Sequence, residues 1–148
     1  MPYQHILVPT DGSDLSGKAV EQAVDLARHL GAHLSFLHVQ SNFPISLVGV
    51  GELVDTSTVE SLVQAARVQA DQILEAALAT AAAAGVPARR INLVSPQPYQ
   101  AIVDEAAAKA CDLIVMASHG RRGITGLLLG SETQRVLTHS PIPVLVVR

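Results

Sequence analysis

The sequence holds a single cysteine, Cys111, and no tryptophan. One cysteine excludes an internal disulfide and makes a reducing compartment, the cytoplasm, the expected location. Aromatic residues are only 3% of the chain, too few for the stacking platforms that hold single-stranded nucleic acids. Net charge is −3, so the basic face of a nucleic-acid binder is missing too. No apolar run approaches the ~18 residues that a membrane span needs. The start, Met1-Pro2-Tyr3-Gln4-His5, lacks the basic-then-apolar pattern of a signal peptide. Neither nucleic acid nor membrane is expected as a partner. The 148 residues fit one domain over 1–148, large enough to bury a core without a disulfide or metal staple.

Metal-ligand spacing is also lacking. The six histidines, His5, His29, His33, His38, His119 and His139, show no His-x3-His or similar pattern, and structural or surface roles are expected for them. There is no Walker-type phosphate loop and no Gly-x-Gly-x2-Gly after the first strand. A phosphoaspartate site at Asp11 would need further carboxylates for Mg²⁺, and only Asp14 is close by. No general base aimed at a γ-phosphate is evident, so the expected activity is at most a weak ATPase.

What the chain does contain is an alternation. Short apolar runs occur at His5–Val8, Leu34–Val39, Arg90–Val94, Leu113–Ala117 and Val144–Val147, and they predict strands buried on both faces. Helical stripes lie between them: Val20, Ala23, Val24, Ala27 and Leu30; then Leu62, Val63, Ala66, Ala70, Ile73, Leu74, Ala77 and Leu78; then Ile102, Val103, Ala106 and Ala110 after Pro98; then Ser131 to Leu137. The order βαβαβαβαβ predicts an α/β fold with a five-stranded parallel sheet and helices on both faces. A flavodoxin-like strand order, 3-2-1-4-5, suits it. Strands one and four are then neighbours, and the crevice outside their carboxyl ends is the expected ligand site. The segment Gln40–Thr56 is long for a βα connection. It reads as a lid, a partner-facing loop or a segment packed over an edge.

Two loops open on that crevice. After strand four come Ser118-His119-Gly120-Arg121-Arg122-Gly123 and, further on, Gly130-Ser131 at the start of a helix. Glycines admit a close backbone approach, a helix start offers unpaired amides, and guanidinium groups grip phosphate oxygens, so this loop suits a phosphate. A glycine-rich turn with an ordinary serine cap is the plainer alternative. After strand one comes Pro9-Thr10-Asp11-Gly12-Ser13-Asp14. Asp11 can accept hydrogen bonds from a ribose hydroxyl or a base amino group, or it can stabilise its own turn. Ser13 or Asp14 is the expected helix cap.

The opening Ile6-Leu7-Val8-Pro9-Thr10-Asp11-Gly12-Ser13 and the closing stretch from Asp112 through Ser118-His119-Gly120 and Gly130-Ser131 to Pro143–Val147 resemble universal stress proteins. Nucleotide-binding members of that family carry Gly-x2-Gly-x9-Gly-Ser/Thr. Here the last three positions fall on Gly120, Gly130 and Ser131, while the first is Ala117, whose methyl would crowd a ligand. The resemblance implies ATP or a related adenine nucleotide, with Mg²⁺ as an optional companion. Asp11 would meet the ribose or adenine, and the main chain near Val39 the adenine edge. Pro9 would wall the pocket, with Thr10, Met116, Ala117 and His119 around it. Gly120, Arg121, Arg122, Gly130, Ser131 and Glu132 would line the phosphate path, Glu132 through its main-chain amide. The resemblance also implies a homodimer through the edge strand Val144, Leu145, Val146 and Val147, and a regulatory role in stress. The alternative is a dimeric interaction module of the same family that binds no nucleotide, a reading that Ala117 favours.

Overall fold

Alternate residues of each central strand face opposite sides of the sheet, and this sorts the apolar runs into two packed layers. In a computed structural model of the chain, which describes residues 3–41, 56–120 and 129–148, the elements run in the order β1 (His5–Pro9), α1 (Asp14–Leu30), β2 (His33–Gln40), α2 (Thr56–Ala83), β3 (Ala88–Val94), α3 (Pro98–Ala108), β4 (Leu113–Ala117), α4 (Ser131–His139) and β5 (Val144–Val147). All strand pairs are parallel and the order is β3-β2-β1-β4-β5, as the alternation predicted.

Ile6, Val8, Leu34, Phe36, Leu113, Val115 and Ala117 pack with Ala19, Val20, Ala23 and Val24 of α1 and with Leu74 and Ala77 of α2. On the other face Leu7, Leu37, Ile114 and Met116 pack with Ile102 and Ala106 of α3 and Val136 of α4. The chain therefore leaves β1 toward one face and β4 toward the other. That divergence opens a crevice at the carboxyl ends of these two neighbours.

Local chemistry sets the helix limits. Ser13 caps α1, its Oγ accepting from Ser16 N at 3.2 Å, and Gly31 ends it with φ 69°. Only Gly is at ease in that left-handed conformation. In α2 the apolar stripe begins well before its burial does. Ala70, Leu74, Ala77 and Ala81 are buried, whereas Val63 is 41% exposed. The strands end up a little longer than their apolar cores: His33 and Gln40 extend β2, and Ala88 and Arg89 extend β3. Of the segment Gln40–Thr56, residues 42–55 lie outside the described residues, and Thr56 already belongs to α2.

Candidate functional site

The crevice is built from the ends of β1, β2 and β4 and the start of α4. Past Pro9, Thr10 N donates to Leu37 O at 2.8 Å, continuing the β1–β2 ladder by one bond. The Thr10 hydroxyl points into α1, donating to Ser16 Oγ at 3.1 Å, and Ser16 Oγ in turn donates to Ser13 O at 2.9 Å. Thr10 thus ties the first loop to the helix it feeds. Asp11 Oδ1 accepts from Ser13 N at 2.9 Å, a turn-stabilising bond of the kind that Asp-Gly pairs make. Its other oxygen reaches across the crevice: a Cβ built on Gly120 would stand 2.7 Å from Asp11 Oδ2. The two loops therefore meet, and Gly120 permits it.

β2 runs on past the end of β1, whose last residue, Pro9, pairs with Leu37. The carbonyl of Leu37 faces β1, accepting from Thr10 N, while that of Gln40 faces β3, accepting from Ser95 N at 2.8 Å. Successive residues of a strand turn their N–H and C=O groups to opposite neighbours. The N–H and C=O of Val39 are therefore directed to the side where β1 has already stopped. That is one donor and one acceptor of the kind a base edge needs.

On the β4 side, Ser118 N donates to Val147 O and Gly130 N to Ser118 O, each at 2.8 Å. The second bond closes the loop that leaves β4 at Ser118 and returns at Gly130. A Cβ on Gly130 would lie 3.1 Å from Ser118 O, so this glycine serves its own chain's crossing as well as any ligand. Thr133 Oγ1 donates to Ala117 O at 2.9 Å and fixes the first turn of α4 to the end of β4. Gly130, the N-cap of α4, makes no side-chain bond to the amides of that turn. A helix start without a side-chain cap offers its N–H groups to an anion. The Glu132 carboxylate is directed elsewhere, accepting from Tyr99 N at 2.8 Å and from Arg135 Nη1 at 3.1 Å.

His119 is half-buried. Its Nδ1 shares a 2.9 Å hydrogen bond with Ser118 Oγ, and its Nε2 is buried with no partner among the described residues. Met116 and Ala117 are buried in opposite layers of the core, so the Ala117 methyl lies in the layer of Val8 and Val147. Arg121 and Arg122 lie outside the described residues. The structure thus brings Pro9, Thr10, Asp11, His119, Gly120, Gly130, Ser131 and Glu132 to the carboxyl ends of β1 and β4, with Val39 on the neighbouring strand. Sequence reasoning missed Thr133 and the side-chain role of Glu132. An acidic residue in a first helical turn is the one sequence signal that points to Glu132.

No described group of His, Cys, Asp and Glu side chains could hold a metal ion. Burial pushes the Cys111 thiol up to about 11, with Asp112 and Glu105 adding to the effect, so it is a poor nucleophile at neutral pH. No described helix is long and apolar enough to cross a membrane.

A sequence profile described as the Universal stress protein family matches residues 2–148. The chain belongs to the universal stress protein family. Universal stress protein YxiE of Bacillus subtilis is 36% identical over 149 residues, covering 99% of both chains. Among solved universal stress protein folds, MJ0577, described as a hypothetical protein, superposes with a TM-score of 0.79 at 28% identity, covering 99% of this chain and 96% of that one. A universal stress protein solved in complex with cAMP superposes with a TM-score of 0.70 at 29% identity, covering 100% of this chain and 98% of that one.

Proposed function

We propose that this universal stress protein binds an adenine nucleotide, ATP or AMP, in the crevice between β1 and β4, and acts as a homodimeric regulator in the stress response. The approach of Gly120 to Asp11 carries the reading: a Cβ would come within 2.7 Å of the carboxylate, so the two loops share one cleft. A relative of 29% identity solved with cAMP supports the ligand class.

The residues present fit such a ligand. The main chain of Val39 offers a donor and an acceptor to the adenine edge, and Pro9 walls the base. The Asp11 carboxylate, already anchored by Ser13 N at 2.9 Å, accepts from the ribose hydroxyls. Gly130, Ser131 and Glu132 offer main-chain amides to the phosphate, and the Ser131 hydroxyl adds a donor. Arg121 and Arg122 supply the cationic partners. The dimer forms through β5, an edge strand on which Leu145 is 42% exposed.

The interaction-module alternative rests on Ala117 crowding the ligand. Its place in the core layer with Val8 and Val147 weighs against that crowding.

Calorimetric titration of the purified protein with AMP, ATP and cAMP, with and without Mg²⁺, tests the proposal. Saturable binding is expected. No affinity up to millimolar nucleotide would refute it. Mass analysis of a co-purifying small molecule would name the nucleotide and its phosphate count.

A further inference from the structure

Glu132 presents a conflict that its surroundings resolve. It is the second residue of α4, and an acidic side chain there is drawn to the free amides of its own first turn. Those are the amides an anionic ligand would use, and Gly130 brings no side chain to them. Yet the carboxylate is turned onto another helix. Its Oε2 accepts from Tyr99 N at 2.8 Å and its Oε1 from Arg135 Nη1 at 3.1 Å. Tyr99 N is itself a first-turn amide in need of an acceptor, because Gln97, the N-cap of α3, makes no side-chain cap bond. The Arg135 guanidinium lies 5.7 Å over the Tyr99 ring, and that ring lies 5.0 Å from the ring of His139. One main-chain N–H from α3 and one guanidinium from α4 thus hold the carboxylate in place, with the rings of Tyr99 and His139 beside them.

We propose that Glu132 is a positioning residue whose carboxylate is drawn off the first turn of α4 by Tyr99 N–H and Arg135, and that this cross-helix cap sets the nucleotide affinity of the site. The inference rests on the reading of α4 as the phosphate-binding turn. A carboxylate left without its two donors would fold back over that turn. It would then compete with phosphate for the same amides and repel its charge. With the donors in place, one acidic residue caps α3 and leaves α4 free.

The test is a double-variant cycle. Tyr99→Pro removes the N–H without changing charge, in a first turn where proline is tolerated. Tyr99→Ala keeps the N–H and removes only the ring. AMP affinity by calorimetry is expected to fall about tenfold in Tyr99→Pro, the worth of one hydrogen bond to a charged group. It should change little in Tyr99→Ala. The loss should disappear in Tyr99→Pro combined with Glu132→Ala, whereas general loosening of α3 would weaken binding in both backgrounds alike. If Tyr99→Pro fails to fold, Arg135→Gln with and without Glu132→Ala completes the same cycle.

A second readout needs no nucleotide. The Tyr99 amide should be protected from hydrogen exchange in the wild-type protein and lose that protection in Glu132→Ala. A Tyr99 amide that exchanges freely in the wild type, wild-type affinity in Tyr99→Pro, or an equal deficit in the double variant would each overturn the proposal. Wild-type protein that protects Tyr99 but binds no AMP would instead overturn the reading of the site, and the affinity role of Glu132 with it.

Discussion

Asp11 Oδ2 and the Cα of Gly120 lie so close that a single methyl group on Gly120 would come within 2.7 Å of the carboxylate. The carboxylate is not a free-swinging group, because Ser13 N holds its other oxygen at 2.9 Å. Gly120→Ala must therefore push Asp11 out of its turn or spread the two loops. The contact is with the end of a side chain on the rim of the fold, so the core is untouched. The expected outcome is a loss of AMP affinity of roughly tenfold or more, equivalent to at least about 1.4 kcal/mol, with little change in thermal unfolding. Calorimetry and a melting curve on the same sample check both halves. Unchanged affinity would mean that the ligand does not use the space these residues share.

Ala117 gives the opposite expectation. It stands where nucleotide-binding relatives carry glycine, and restoring that glycine would improve binding if the methyl crowded the ligand. The residue instead belongs to the core layer of Val8, Val115 and Val147 and is 8% exposed. Ala117→Gly should leave nucleotide affinity unchanged. It should cost about 1–2 kcal/mol of stability, from the lost buried methyl and the added freedom of the unfolded backbone. Urea unfolding measures the cost. A gain in affinity would show that the residue reaches the ligand after all.

Much of this was legible in the residues. Apolar runs of strand length placed all five strands, and the alternation with helices was enough to order the sheet. Asp11 and Gly120 could be assigned to one crevice because strand order alone makes β1 and β4 neighbours. Side-chain direction was not legible in the same way. Periodicity names the inward stripe of α2 but not how far the sheet reaches beneath it, so Val63 is exposed although it sits on that stripe. Ala117 belongs to the glycine motif by spacing and to the core by geometry, and only the pleat decides between them. The bond from Glu132 to Tyr99 N depends on where α3 packs against α4, which no local pattern encodes.

At the opposite end of the sheet, His5 is buried and surrounded. Its Nε2 shares a 2.7 Å hydrogen bond with Ser35 Oγ, its Nδ1 a 3.0 Å bond with Lys109 O, and its ring stacks on His33 with centroids 4.1 Å apart. Burial lowers its pKa from the ordinary 6.5, with His33 and Arg89 adding to the effect and the Lys109 carbonyl and Asp112 opposing it. The folded state therefore binds this proton less readily than the unfolded chain does. The stabilisation is fully present above about pH 6.5 and is lost as pH falls through the lower folded-state value. The urea midpoint should drop between about pH 7.5 and 5.5, and His5→Gln should flatten that drop. An equal slope in both proteins would assign the acid sensitivity to other groups.

The edge strand offers the most selective test of the dimer. Among the described residues β5 has only β4 as a strand neighbour. The carbonyls of Pro143 and Val147 face β4, accepting from Ile114 N at 3.0 Å and Ser118 N at 2.8 Å. Alternation along the strand gives Leu145 the same direction, so the N–H groups of Val144 and Val146 face the open edge. Val146→Pro removes one of those outward donors without removing a bond to β4, a placement that an edge strand tolerates. Light scattering coupled to size exclusion is expected to show a dimer for the wild type and a monomer for Val146→Pro, with the far-ultraviolet circular dichroism of the two unchanged. The exposed Leu145 would then be uncovered, so the variant should also become less soluble. A wild-type monomer would refute the dimer, and a variant dimer as tight as the wild type would place the association elsewhere than on β5.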